Sequence, residues 1–576
     1  SKAILTMSVI YNQFWLVLIS GAIVVSGCST YGTQTANVRT FIESGDYAAA
    51  SEATDELSTD GKDRLLHYME SGMVQHLSQS YDSSNAKLDQ AASIAEDLTT
   101  KRAGDVLKAA LISPSQSDYA GQEFERAFIH YIKALNYTMM ALANPAKKVD
   151  HLESARVEAR KVDILLSDIA YQKGTYQDAK DDEGKLFSQL MKIFDVLAGQ
   201  VIDKDKLIYR EDAYVRYMNG LIYEINGELD SARIAYQKAA ELYEQGYAEQ
   251  YSLGQGIVQQ AWFDTIRMMK QDGGYEDEWP GLAKQKLSNT LQKELDSSEK
   301  AHIVIIGHTG WIPPRGELNM HLTLDTNTRE LVIQPILTGT PEEQDAQLVW
   351  FHLMYADRGL LQSVINFQLR GVIGALEGMA SKSFRLGPLW GLAEQIGLPD
   401  ALAMGGARVT VPYYKLEPKT FGMTQVMVDG KPHGEMVQAE SLANLAFQGQ
   451  LLNADKDLQA ALGRTMTKNL FCGQMDDDLA KLACKSVAAL SSQADTRAWL
   501  TLPHTIHLKR LSVEPGTHQI TLRTPSANGG TYHEVTQSVE VGEGDIKIFR
   551  EHIIPTQNTA MMQQPASTQT AWLTKR

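Results

Sequence analysis

From about residue 39 to residue 270, apolar and small residues recur at the spacing of helices that bury one stripe, with polar residues between them. From Lys300 the texture changes. Residues 301–307 (AHIVIIG) predict a buried strand. The following HTGWIPPRGE predicts a loop, because its prolines and glycines continue neither helix nor strand. Residues 320–324 and 331–337 predict a hairpin across Thr326-Asn327-Thr328, with Pro335 putting its second strand at an edge. Residues 341–406 are apolar and helical, an inserted subdomain that Arg358, Arg370, Glu377 and Lys382 interrupt too often for a membrane span; an interfacial role stays open. Strands follow at 407–416 and 424–428, with a hairpin signal at Asp429-Gly430 and a long helix from near Ala439 to Leu470. Residues 501–553 alternate as four short strands, which predicts a small β-sandwich-like module, and the polar tail 554–576 predicts disorder.

The clearest helical unit is 213–243 (AYVRYMNGLIYEINGELDSARIAYQKAAELY). It resembles a tetratricopeptide repeat, with Gly220, Tyr223, Gly227, Ala232, Tyr236 and Ala239 at the positions that frame wants. Small residues let paired helices cross closely and aromatics fill the space between them. Arg216 stands where the frame usually has Trp, and Glu244 where it often has Pro. Weaker copies lie around 66–98, with Gly72, Ser84, Leu88 and Ala91, and around 128–165, broken near Asn144-Pro145; residues 41–53 end another pair. A helical bundle with Ala-rich seams accounts nearly as well for the weaker copies, though not for 213–243. Stacked pairs of this kind offer a curved surface suited to gripping another protein.

The N-terminus reads as an address. Residues 14–25 (FWLVLISGAIVV) are uncharged and follow Lys2; about a dozen apolar residues fit a signal peptide and fall short of a bilayer span. The run ends in Val25-Ser26-Gly27-Cys28, which resembles the lipobox of bacterial lipoproteins. That resemblance implies cleavage before Cys28, lipidation of its thiol and, with Ser29 rather than Asp next, delivery to the outer membrane facing the periplasm. An uncleaved anchor helix ending in cysteine is the alternative. Of the three cysteines this leaves Cys472 and Cys484, and an even remainder in an exported chain predicts a disulfide worth roughly 3 kcal/mol, against two free thiols. No further His or Cys lies at zinc-ligand spacing, so no metal is expected.

Composition narrows the rest. The chain of 576 residues is too long for one core. Its net charge of −16 argues against duplex nucleic acid as a partner. The pattern therefore predicts an α+β multidomain chain. Its parts are a signal peptide (1–27), an anchored linker (28–38), tetratricopeptide-like helical repeats (39–270), a mixed α/β region (299–500) with the helical insertion, the β module (501–553) and the tail.

The order of lipobox, helical pairs, IIGHTGWIPPRGE and ADTRAWLTLPHTIHLKRLSVEPGTHQITL resembles a family of Gram-negative envelope lipoproteins with tetratricopeptide-like repeats and a C-terminal β-rich region. The resemblance covers most of the chain apart from 341–406. It implies architecture and location only, in a setting similar to that of accessory lipoproteins of peptidoglycan synthesis.

Catalytic motifs are absent from the sequence: no GxSxG elbow, HExxH helix, P-loop or strand-borne GxGxxG occurs. His308, Arg315 and Glu317, with Trp311 able to close a pocket, form the most catalytic-looking cluster; a shaped loop with a packed Trp and solvated charges is the commoner meaning. His504, His507, Lys509, Arg510 and Arg523 make the terminal strands locally basic, either as an anionic contact surface or as a solvated sheet face. The expectation is a periplasm-facing outer-membrane scaffold or adaptor without cofactor, whose repeats bind periplasmic or outer-membrane proteins, with cell-wall contact possible. A structural part of a large envelope assembly, or an enzyme or accessory factor of cell-wall or surface-polymer metabolism, is the alternative.

Overall fold

The computed structural model describes residues 31–57, 61–104, 117–171, 211–296, 300–355, 381–403, 405–415, 420–473, 493–526 and 532–555, with 475, 477, 480–481 and 484. The signal segment with Cys28, the middle of the 341–406 segment and all but the start of the C-terminal tail lie outside these residues. The fold is α+β, with several sheets and many helices.

The first half is helical. Helices α1 (Tyr31–Glu43) and α2 (Tyr47–Asp55) are followed by α3 (Arg64–Leu77), α4 (Tyr81–Gly104), α5 (Glu123–Ala143) and α6 (Lys148–Tyr171). Then come α7 (Ala213–Ile225), α8 (Leu229–Leu242) and, after a π turn at Tyr243–Tyr247, α9 (Gln255–Asp272). Chain neighbours pack as pairs: α1 on α2, α3 on α4, α5 on α6 and α7 on α8. The crossing points are set by small residues. A Cβ on Gly72 would stand 2.6 Å from the Leu88 side chain, and one on Gly220 would stand 2.6 Å from the Tyr236 ring. Ser84 also donates to the Gly72 carbonyl at 2.7 Å across the α3–α4 pair. Gly227, at φ 79°, closes α7, and the Glu228 N–H reaches back to Tyr223 O at 2.9 Å. Tyr236 is fully buried and cannot swing aside, so Gly220→Val should cost about 2–3 kcal/mol. Urea unfolding measures this; a loss under 0.5 kcal/mol would show that the crossing is not tight.

The second half holds three four-stranded sheets. The central sheet has the order β12-β1-β9-β8, from β1 (Ala301–Thr309), β8 (Val437–Ser441), β9 (Thr505–Val513) and β12 (Ile546–Ile553). β1 pairs parallel with β12 and antiparallel with β9. A second sheet has the order β11-β10-β6-β7, from β6 (Gln425–Val428), β7 (Lys431–Glu435), β10 (Gly516–Pro525) and β11 (Tyr532–Val541). The third is β4-β3-β2-β5, from β2 (Arg315–Asp325), β3 (Glu330–Ile336), β4 (Lys382–Arg385) and β5 (Ala407–Tyr414), with the long helix α10 (Leu442–Gly473) against β5.

Four expectations need correction. The strands of 501–553 do not make a module by themselves. β9 and β12 flank β1, while β10 and β11 join β6 and β7, and the two sheets enclose one core of Ile303, Ile305, Val426, Ile520, Val539 and Phe549. The other face of the central sheet belongs to the same hydrophobic core as the helices, which runs from Tyr31 to Ile554. The 341–406 segment is not wholly helical either, since β4 extends the third sheet there. Pro335 therefore lies in an interior strand, but β4 pairs only Glu330 to Ile333, and the missing N–H falls beyond its end. The residues just before the long helix form β8 rather than helix. The Asp429-Gly430 turn has φ of 51° and 75°, as a two-residue hairpin needs. Cys472 and Cys484 are joined by a disulfide.

Candidate functional site

The candidate site is the inner face of the helical array, where it meets the central sheet and an irregular segment, residues 493–504. Strand alternation sends His302, Val304, Ile306 and His308 of β1 toward the helices, with Ile506, Leu508 and Arg510 of β9 and Ile548, Arg550 and His552 of β12. The middle of that face is apolar and both ends are polar.

At one end, Arg510 donates to Glu224 at 2.8 Å and lies 2.9 Å from Asp264. Arg267 pairs with the same two carboxylates at 2.7 and 3.1 Å. Tyr217 donates to Asp264 and Tyr236 to Glu224, so the two cations and two anions balance. Burial alone would raise the Glu224 carboxyl, but Arg267 and Arg510 outweigh it and hold it well below the usual carboxylate range. Toward the other end lie two buried carboxyls, Asp212 at the N-cap of α7 and Glu440 of β8, the latter in register with Ile506, which pairs with His308; Tyr247 donates to Glu440 at 2.6 Å. Burial, partly offset by the Val215 N–H, pushes Asp212 up to about 6, and burial with the Asp212 charge raises Glu440 further. A raised carboxyl pKa stabilises the fold below its unfolded value near 4, and that contribution is lost as pH rises to about 6. Asp212→Asn keeps the helix cap on Val215. It should add about 2 kcal/mol at pH 8, with the gain vanishing toward pH 4. Equal stabilities across that range, measured by denaturant titration, would refute the charge penalty.

The segment 493–504 has no helix or strand and lies in the helical array. Glu70 of α3 accepts from the Leu500 N–H at 2.7 Å, from the Thr501 hydroxyl at 2.5 Å and from Tyr31 at 2.8 Å. Glu125 of α5 accepts from the Trp499 N–H at 2.7 Å and from Tyr119 at 2.6 Å. Arg39 of α1 donates to Leu500 O and Ile312 O, both at 2.7 Å. Arg497 pairs with Asp63 and donates to Ser117 O, and Trp499 is fully buried. Backbone N–H groups meet carboxylates and backbone carbonyls meet arginine, so the helices grip the main chain of a segment that turns at 500–501. Burial raises both Glu70 and Glu125, while the bonds from Thr501 and from the Trp499 N–H pull the other way.

The four residues of the 302–317 region do not converge. His308 lies within β1, fully buried, with Nε2 3.0 Å from Tyr131 Oη. Trp311 donates to Glu43 at 2.9 Å beneath Arg39. Arg315 donates to Gln450 and lies over Tyr414, while Glu317 accepts from the Ala494 N–H and faces Arg408. The basic residues of the terminal strands do not share one face: His507 and Arg510 are buried in an interior strand, while Arg523 lies on β10 of the second sheet and pairs with Glu534. A cavity of about 180 Å³ opens beside His507, lined also by Trp311, Phe421, Met423, Gln438 and His504. Among the described residues no group of three potential ligands can hold a metal ion.

The sequence reading missed Glu70, Glu125 and Arg550. The available signal was a charge inside an apolar stripe, as at Glu70 between Met69 and Met73. No protein-family profile, curated protein or solved structure matches the chain.

Proposed function

We propose that the protein is an outer-membrane lipoprotein, tethered through Cys28 and facing the periplasm, that acts as a scaffold or adaptor for envelope proteins. In this reading the pairs α1–α2, α3–α4, α5–α6 and α7–α8 are tetratricopeptide-like repeats, and the two facing sheets are a β-sandwich-like docking module. The observation that carries it is the grip of Glu70, Glu125 and Arg39 on the backbone of 499–501: the array already holds an irregular segment by its main chain, supplied by the protein itself. A partner would then engage the outward faces. Exposed Ile164 on α6 and Ile234 on α8 are apolar positions there. Among the described residues no helix is long and apolar enough to cross a membrane; in this reading the attachment is a lipid on Cys28.

Photocrosslinkers placed at Ile164 and Ile234 in intact cells should capture one envelope protein from both positions and none from a control on β7. Capture of nothing, or the same mixture from every position, would sink the scaffold reading. Mass spectrometry of the mature N-terminus should find acyl chains on Cys28; an unmodified or uncleaved terminus would remove the tether.

A further inference from the structure

The central sheet carries two buried arginines on its helix-facing side, and they are treated differently. Arg510 meets two carboxylates. Arg550, at the other end and 1% exposed, has no carboxylate within ion-pair distance among the described residues, and its one hydrogen bond there runs from Nη2 to His76 O at 3.5 Å. Its neighbour Glu551 points to the opposite face, where it pairs with His533 at 3.0 Å. Around Arg550 stand three buried histidines. The His76 and His308 rings lie 6.4 Å apart and those of His308 and His552 5.9 Å apart, with Tyr81 beside His76.

Among the described residues, nine of the nineteen buried side-chain polar atoms without a partner belong to this one place. They are Arg550 Nε and Nη1, both nitrogens of His552, His308 Nδ1, His76 Nε2, Tyr47 Oη, Tyr81 Oη and Asn85 Nδ2. A buried guanidinium without a counter-charge costs several kcal/mol, and each orphaned polar atom adds to that. So many unmet groups in one spot indicate that something polar and negative belongs there.

The hydrogen-bond chain says which kind. Ser84 gives its proton to Gly72 O, so its oxygen accepts from Asn136 Nδ2 at 2.9 Å. That fixes Asn136 Oδ1 as the acceptor toward His76 Nδ1, which must carry the ring proton. Burial first, and then Arg550, keeps His76 neutral, so its Nε2 offers a bare lone pair. Arg550 offers N–H groups, and His308, whose Nε2 is bonded to the Tyr131 hydroxyl, turns toward the same place an Nδ1 that has no partner among the described residues. The missing group must therefore accept from Arg550 and donate to His76. A halide has no proton to give, and water has no charge.

We propose that Arg550, His76, His308 and His552 bind one protonated oxyanion, hydrogen phosphate or bicarbonate, between the helical array and the central sheet. The ion completes the interface by giving Arg550 the counter-charge that Arg510 draws from Glu224 and Asp264. The inference is independent of the scaffold reading, since it concerns how the two halves are held together.

The test uses the full chain, purified and dialysed exhaustively against chloride buffer, then denatured to release what it holds. Ion chromatography should find about one phosphate per chain; failing that, protein exchanged with ¹³C-bicarbonate should retain about one equivalent by ¹³C NMR. In wild type, phosphate or bicarbonate at millimolar concentration should raise the midpoint of thermal unfolding, and equal chloride should not. Arg550→Gln should abolish both retention and the rise. Retention of chloride, or of no ion at all together with no oxyanion-dependent rise, overturns the proposal. The wild-type measurements decide this even if the variant does not fold.

Discussion

Arg510→Ala is expected to cost about 4 kcal/mol, one of the two largest losses foreseen for a single side chain in this protein. The guanidinium is 3% exposed and bridges Glu224 and Asp264, and Tyr236 lies 3.1 Å from its Nη2. Removing it leaves Arg267 alone against two buried carboxylates, an uncompensated negative charge with no water to screen it. The cluster also joins the halves, since Glu224 comes from α7, Arg267 and Asp264 from α9 and Arg510 from β9. The loss should appear in global denaturant unfolding, not as local fraying. Its pH dependence has a defined sign. Glu224 is depressed, so its contribution is present above about 4.5 in the wild type and is lost as pH falls. Without Arg510 that acid sensitivity should weaken. Replacing Arg510 and Glu224 together with apolar residues should recover part of the loss, because a missing pair costs less than half of one. A loss below 1 kcal/mol for Arg510→Ala would mean that solvent reaches the cluster.

The parts legible in the sequence were those written in local spacing. Gly220 and Tyr236 sit at fixed offsets within one helical pair, and Asp429-Gly430 carries its own backbone requirement. Sheet membership was not legible. β1, β8, β9 and β12 lie far apart in the chain, and each looks like a plausible hairpin partner for its nearest neighbour. The proposed site was hidden for a related reason. His308 continues β1 beyond the apolar run and faces other buried polar groups, so its polarity imitates a loop. Residues 493–504 have no periodicity at all, because their conformation is imposed by Arg39, Glu70 and Glu125 from three different helices.

Glu70→Ala is the second large effect expected, about 3–4 kcal/mol, because three donors lose one shared acceptor: Leu500 N, Thr501 Oγ1 and Tyr31 Oη. Its character should differ from that of Arg510→Ala. The grip on the segment is shared with Glu125 and Arg39, so part of the loss should appear as local opening before global unfolding. Arg497, 4% exposed and paired with Asp63 and Asp495, is a trypsin site closed in the wild type. In Glu70→Ala, cleavage after Arg497 should accelerate at least tenfold under native conditions, while the α7–α9 region stays protected from hydrogen exchange. If cleavage and global unfolding rise in the same proportion, the segment is an inseparable part of the core and the inner face is never open to a partner. If cleavage rises first, the array is a peptide-holding groove closed by its own chain. The raised Glu70 and Glu125 give the sign for pH: their contribution is full below the unfolded carboxyl value and is lost as pH rises through the folded one. The segment should therefore loosen toward alkaline pH.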